Sequence, residues 1–325
     1  MFKSVYAEEL TNYYELRQTA LSKSSLVHEK CYLKRFDEYL SGALLEKQGL
    51  TEEIIAVWIK ELSNRRSSIE NEVVVIRQFL RYLNTIGVKT YIPVIPKVHD
   101  DYTPYIFNDD ELAGIFELAD NTIQKSSASD PYLAIELPVI LRLLFSSGLR
   151  IGETLSLKKT DVDLENGILR MLNTKGDKHR LVPVTNEMND ILKQYCSVMA
   201  RLIDTEWLFP SSKREGPISD RSVKHRFEYI LEECNIHLEN RAKFERGPCL
   251  HCFRHVFAFK SFAQNERNGR STNDTIPFLS IYLGHVSLNE TAKYLKFSNE
   301  MYPEAIDNFG AYMEDLLPEV VYNEK

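Results

Sequence analysis

Between Lys89 and Tyr105 the chain carries Pro93, Pro96 and Pro104 with little hydrophobic periodicity, whereas the segments on either side are patterned like helices. Proline fixes φ and removes a backbone donor, so such a stretch reads as an extended connector rather than a continuing helix or a central strand. It divides the 325 residues into a helical domain over 1–90, a linker over 91–106 and a larger domain over 107–325. The length is sufficient for two separate cores.

Residues 1–90 read as helices. Ser67-x-x-Glu70 forms a capping box, and Ile69, Val73, Ile76, Leu80 and Leu83 then recur at spacings of four and three, which is one buried helical face. This helix is expected to run to about Ile86 and to stop at Gly87. Its other side carries Arg77 and Arg81, one turn apart, and Arg65 and Arg66 come just before it. An earlier helix, starting near Ser24, shows Lys30, Lys34 and Arg35, and Thr51 with Glu52 and Glu53 opens a third. Spacing alone makes these basic residues a solvated face.

In the second domain Asn108-x-x-Glu111 caps the first helix, and most of the remaining sequence is also helical in pattern. The exception is Gly167–Asn173 and His179–Val184, two short apolar strands flanking a Gly-containing turn, hence a β-hairpin. Asn265–Asp274 reads as a polar loop. The fold class is therefore mainly α with a small hairpin or sheet (α+β).

Composition sets limits. No apolar run is long enough to span a bilayer, and the start, Met1 to Glu9, lacks the apolar core of a secretion signal, so a cytoplasmic protein is expected. Five cysteines, odd in number and scattered, do not form a disulfide framework. The net charge of −7 argues against nucleic-acid binding until its distribution is considered. Residues 1–98 hold 14 Lys/Arg against 12 Asp/Glu, whereas residues 296–325 hold 2 against 7, so much of the acid sits in the tail.

Four segments carry candidate chemistry: Ser147-Gly-Leu-Arg150-Ile-Gly-Glu153, His251-Cys-Phe-Arg254-His255, Tyr282-Leu-Gly-His285, and Tyr294 nine residues after that histidine. Two arginines, histidines and a phenol suit a site that clamps a phosphodiester and attacks it. Taken singly, each has a plainer explanation. Arg150 and Glu153 fit a helical ion pair, His251, Arg254 and His255 an incidental grouping on one helix, Tyr294 the packing role of most of the 17 tyrosines, and Lys175 and Lys178 an exposed turn. Cys234-x-x-His237 and Cys249-x-x-Cys252 offer zinc-ligand types at finger-like internal spacing. Cys252, however, lies in a helical run beside His251, between apparent core residues Phe253 and Val256, and the cysteines read instead as small buried fillers.

In this order, and over about Phe107 to Lys296, these segments resemble the tyrosine recombinases, the phage-integrase family. The resemblance implies a helical core-binding domain and a catalytic domain that together form a C-shaped clamp on DNA. It makes Arg150 the phosphate clamp, oriented by Glu153, and adds Arg254 and His285 as holders of the non-bridging oxygens. His251 becomes the proton acceptor or donor with His255 in support, and Tyr294 becomes the nucleophile that forms a 3′-phosphotyrosyl bond. Lys175, with Lys178 as rival, matches the family's mobile lysine, the general acid for the leaving 5′-oxygen. Lys30, Lys34, Arg65, Arg66, Arg77 and Arg81 become candidate DNA contacts. No cofactor, ATP or metal is implied.

The implied partners are double-stranded DNA recombination sites, further copies of the chain in a tetramer on DNA, and accessory or partner recombinases, with no membrane. The apolar stripe Ile306, Phe309, Tyr312, Met313, Leu316 and Leu317 makes residues 300–317 a docking helix for that tetramer. The implied function is site-specific recombination by an integrase or transposase of a mobile element. A chromosome-dimer resolvase, a type IB topoisomerase, and a non-catalytic, zinc-containing DNA-binding regulator are the alternatives.

Overall fold

The computed structural model describes residues 2–44, 46–62, 66–96, 104–121, 131–172, 179–238, 247–285, 287–292 and 294. The chain divides into two compact units, Met1–Asp101 and Tyr102–Lys325.

The first unit is built from α1 (Ala7–Gln18), α2 (Lys23–Ala43), α3 (Glu52–Glu61) and α4 (Arg66–Thr85). Ser22 caps α2 by accepting from the Ser25 N–H, and α3 follows Thr51. Helix α4 begins at Arg66, so Ser67 lies inside its first turn rather than at its cap. Val73, Ile76, Phe79, Leu80 and Leu83 of α4 are fully buried against Leu33 and Phe36 of α2 and Trp58 of α3. Edge-to-face pairs fix the rings, Phe36 against Trp58 at 4.9 Å and Tyr13 against Phe79 at 5.4 Å. An ion pair from Arg35 to the buried Glu72 (3.1 Å) joins α2 to α4.

After Gly87, at φ 89°, the chain turns back, and Tyr91 N–H donates to Leu50 O at 2.8 Å. Tyr91 and Ile92 pack on this core, so the first residues of the expected linker belong to the first unit; they are apolar, and the prolines start only at Pro93. Among the candidate DNA contacts, Lys30 and Lys34 are exposed on α2, Arg81 is exposed on α4 and Arg77 is half-buried there. The Lys30 ammonium lies 5.1 Å from the Tyr14 ring centre. Arg66 is the first residue of α4; Arg65 lies outside the described residues.

The second unit contains α5 (Asp109–Asn121), α6 (Leu133–Ser147), α7 (Ile151–Leu155), β1 (Val162–Asp163), β2 (Ile168–Met171), β3 (Arg180–Pro183), α8 (Asn186–Leu202), α9 (Asp220–Glu233), α10 (Cys252–Arg267), α11 (Thr272–Leu283) and α12 (Leu288–Ala292). Asn108 and Glu111 cap α5 reciprocally, each side chain accepting from the other's backbone N–H at 2.8 and 2.9 Å. Helix α6 is the axis of the core: Leu137, Ile140, Leu141, Leu143 and Leu144 are all buried, and α5, α7, α8 and α10 pack around it. Phe253 of α10 meets Phe107, Phe116 and Phe227 there.

The hairpin is antiparallel, with Leu169 opposite Val182 and Met171 opposite Arg180, and β1 adds a third strand in the order β1-β2-β3. The expected polar loop is shorter than its composition suggests. Helix α10 continues to Arg267 with a solvated last turn, Gly269 (φ 73°) reverses the chain, and Ser271 caps α11 by accepting from Asp274 N–H. Among the described residues no helix is long and apolar enough to cross a membrane. Lys175, Lys178 and the expected docking helix over 300–317 lie outside the described residues.

Candidate active site

Two helices end in left-handed glycines, and the site is assembled on those ends. Helix α6 closes at Gly148 (φ 60°) and α11 at Gly284 (φ 66°), a conformation in which a side chain is strained. A Cβ on Gly148 would come within 2.5 Å of the Phe257 ring, and one on Gly284 within 2.7 Å of Arg180 Nη1. The last carbonyls of both helices are thereby exposed to a partner, and guanidinium groups take them. Arg254 donates to Gly148 O and to Leu283 O, both at 2.7 Å. Arg150 approaches the α11 end more loosely, at 3.5 Å to Leu283 O and 3.4 Å to Gly284 O. Cations at helix C-termini are favoured by the backbone dipoles as well as by these bonds.

Arg150 is the residue before α7, and Glu153 reaches back to it. Glu153 accepts from Arg150 Nη1 at 2.9 Å and from the Arg150 backbone N–H at 3.1 Å, so the expected pairing is present, built as a helix cap. The carboxylate is buried, which opposes its charge, yet bonds from Arg180 and Arg150 outweigh burial and hold its pKa below the ordinary range.

Arg254 is 1 % exposed, the most enclosed cation of the site. Burial, with the Arg150 charge beside it, pushes its pKa down to about 10, so it stays protonated at neutral pH. A buried charge of this kind persists only when hydrogen-bonded, which the two carbonyls provide. His251 stands one residue ahead of α10 with helical backbone angles, so His251, Arg254 and His255 keep their helical spacing. The His251 and His255 rings meet edge to face at 4.8 Å.

Tyr294 is buried at the meeting point of these groups. Its hydroxyl lies close enough to the Arg254 guanidinium to feel that charge. Its ring stacks on His285 (6.2 Å between centres) and meets His255 edge to face at 5.5 Å. Burial raises the phenol pKa, against which the Arg254 and Arg150 charges pull it down. His285, directly after Gly284, bonds through Nδ1 to the Thr291 hydroxyl at 2.6 Å. Burial first, then the Arg254 and Arg150 charges, push its pKa down to about 3, which leaves the ring neutral at physiological pH.

The structure thus gathers Arg150, Glu153, His251, Arg254, His255, His285 and Tyr294 from four separate segments. His255, which the resemblance gave only a supporting part, is the histidine whose ring edge meets Tyr294. Arg180 and Thr291 were missed. Arg180 alternates along β3 with the buried Val182, an inward-facing cation that strand periodicity could have flagged. Cys249 and Cys252 place their sulfurs 3.7 Å apart, and among the described residues no three or more His, Cys, Asp and Glu are grouped so as to hold a metal ion.

Comparison with known proteins identifies the family. Residues 108–301 match the model of the phage integrase family. A protein of Sinorhizobium fredii named as an integrase/recombinase, y4rB, is 30% identical over 291 residues, covering 82% of this chain and 86% of its own. Tyrosine recombinase XerC of Staphylococcus saprophyticus is 25% identical over 241 residues, covering 73% of each chain. Among solved structures, XerH site-specific recombinase bound to a palindromic difH substrate aligns with a TM-score of 0.68 at 19% identity, over 93% of this chain and 84% of that one. A lambda integrase (75–356) dimer bound to a COC′ core site aligns at 0.66 and 17% identity, over 88% and 94%. The matched span contains every catalytic candidate named above, from Arg150 to Tyr294, and the chain belongs to the phage integrase family, the tyrosine recombinases.

Proposed function

We propose that this chain is a site-specific DNA recombinase that breaks and rejoins strands through Tyr294, integrating, excising or transposing a mobile element. The observation that carries this is a phenol enclosed with the Arg254 guanidinium, Arg150 and His285, beside the His251–His255 pair. A buried neutral tyrosine is a poor nucleophile. At a pKa of ~10 about one in a thousand is ionised at pH 7, and burial lowers that fraction. Attack therefore needs both a proton acceptor and a strongly cationic surrounding for the phosphate.

Tyr294 Oη attacks a DNA phosphorus. A phosphotyrosyl bond forms to the 3′ side, and the bond to the 5′-oxygen breaks. The phenolic proton leaves toward His255 and His251. Arg150, a third of whose side chain is exposed, turns its donors to the non-bridging oxygens while Arg254 and His285 line the same pocket. Lys175 is the group assigned to protonate the departing 5′-oxygen. The new ester conserves the energy of the broken one, and a 5′-hydroxyl from the partner site reverses the steps to complete exchange.

DNA is the partner of this site. The exposed Lys30, Lys34 and Arg81, with Arg65, Arg66 and Arg77, supply cationic groups of the first unit for its phosphates. Assembly into a tetramer through residues 300–317, with accessory or partner recombinases, belongs to the same proposal. It is supported by solved relatives on DNA, one of them a lambda integrase tetramer on a Holliday junction. The test is covalent capture. Protein incubated with fragmented host DNA and denatured in SDS should retain DNA, and Tyr294→Phe should bind DNA yet retain none. Retention by Tyr294→Phe would mean another nucleophile.

A further inference from the structure

We propose that Arg180 is a positioning residue for the recombination chemistry: it fixes the Glu153 carboxylate so that Arg150 is held in place without being fully occupied. The inference rests on the recombinase reading of the site, and its support is the way one carboxylate is shared.

Two carboxylate oxygens offer about four acceptor positions. All four are filled. Oε1 accepts from Arg150 Nη1 at 2.9 Å and from Arg180 Nη1 at 3.2 Å. Oε2 accepts from the Arg150 backbone N–H at 3.1 Å and from Arg180 Nη2 at 2.8 Å. Arg180 takes the forked, two-oxygen contact, whereas the Arg150 guanidinium has one oxygen through one nitrogen. Exposure follows the same division, with the Arg180 side chain 8% exposed and that of Arg150 34%.

Arg180 is itself pinned. Its Nε donates to Tyr282 O at 2.9 Å, so one guanidinium ties β3 to both the α7 cap and the last turn of α11. The bare backbone of Gly284 makes room for it, since a Cβ there would lie 2.7 Å from Nη1. Three arginines thus have three duties. Arg254 is buried on two helix-end carbonyls at 2.7 Å, Arg180 is buried on Glu153 and Tyr282 O, and Arg150 is the most exposed of the three, with contacts of only 3.4 and 3.5 Å beyond its side-chain bond to Glu153. Of the three, Arg150 has the most loosely held and most exposed donors to turn to an incoming phosphate. Without Arg180, Glu153 would turn its fork onto Arg150 and draw that guanidinium from the phosphate position.

The experiment measures single-turnover adduct formation at saturating DNA, together with DNA affinity, for wild type, R180A, R180K, E153Q and E153Q/R180A. R180A should lower the rate by about 10- to 100-fold, the range that a small misplacement costs, with affinity changed less than about threefold. R180K should recover only part, because an ammonium cannot span two carboxylate oxygens and a carbonyl. In the E153Q background, removing Arg180 should cost less than about threefold more, since the two act through one carboxylate. Equal fold-losses in both backgrounds, an unchanged R180A rate, or a loss confined to affinity would each overturn the proposal. If R180A proves unstable, R180K and E153Q/R180K carry the same comparison. Absence of an adduct from wild type would instead count against the recombinase reading; the positioning role is then decided by a crystal structure of R180K. Glu153 forking onto Arg150 supports it, and Glu153 unmoved refutes it.

Discussion

Gly148 and Gly152 flank Arg150 in one short motif, yet their substitution by alanine should have opposite consequences. Gly148 holds φ 60°, where an alanine costs about 1–2 kcal/mol in backbone strain. Its Cβ would also lie 2.5 and 2.8 Å from two atoms of the Phe257 ring and 3.1 Å from Leu283 Cδ2. That ring cannot swing aside freely, because it stacks on Tyr282 at 5.3 Å with 15° between planes. Overpacking of this kind adds about 1–3 kcal/mol. Gly148→Ala should therefore destabilise the second unit by about 2–5 kcal/mol, a large part of the total for a domain. Gly152 sits in α7 with nothing within 4 Å of its would-be Cβ, and alanine there should be neutral or stabilise by up to about 1 kcal/mol.

The assay is urea denaturation followed by Trp207 fluorescence in a Trp58→Phe background, since these are the two tryptophans of the chain and Trp207 lies in the second unit. The midpoint should fall for Gly148→Ala with little change in slope. Because Gly148 O holds Arg254 at 2.7 Å, adduct formation should also fall in whatever fraction remains folded. A Gly148→Ala protein within about 0.5 kcal/mol of wild type, or a Gly152→Ala protein equally damaged, would refute the helix-end account of the site.

His285, with its pKa held at about 3, stays neutral when folded and takes a proton when unfolded, so stability falls as pH drops below about 6.5. At pH 5 the loss should be about 2 kcal/mol relative to pH 8, and His285→Asn should show a shallower pH dependence by that amount; parallel curves would contradict it. Lys175→Ala should cripple cleavage more than binding, and the defect should shrink on DNA whose leaving group needs no proton, failing which Lys175 is not the acid. EDTA should leave cleavage unchanged, and a metal requirement would contradict the phenol mechanism.

Local signals were legible in the sequence wherever cause and effect lie within a helical turn or two. The Asn108–Glu111 box, the apolar period of α4 and the glycine stop at Gly87 all act over a few residues, and the motif around Arg150 and Glu153 contains its own hydrogen bonds. Strand alternation could mark Arg180 as inward-facing but not as a site residue, because its partners lie 27 residues before it and 102 after. Gly148 O and Leu283 O, which hold Arg254, are backbone atoms with no signature in any side chain. The end of α10 was misread as loop because a solvated last turn, Gln264 to Arg267, shows no apolar period. Likewise β1 is two residues long, too short for alternation to register, and its pairing of Val162 with Leu169 becomes visible only in three dimensions.

The central claim is that one tyrosine of 17 is the nucleophile, and it is tested most directly by finding the residue that carries the DNA. The covalent complex should be digested with protease and nuclease and the nucleotide-bearing peptide sequenced by mass spectrometry. The account requires the modification on Tyr294, linked to a DNA 3′ end, with a free 5′-hydroxyl on the other fragment. A nucleotide on Tyr282, which lies beside the same glycine turn, on any other residue, or attached through a DNA 5′ end, would contradict it.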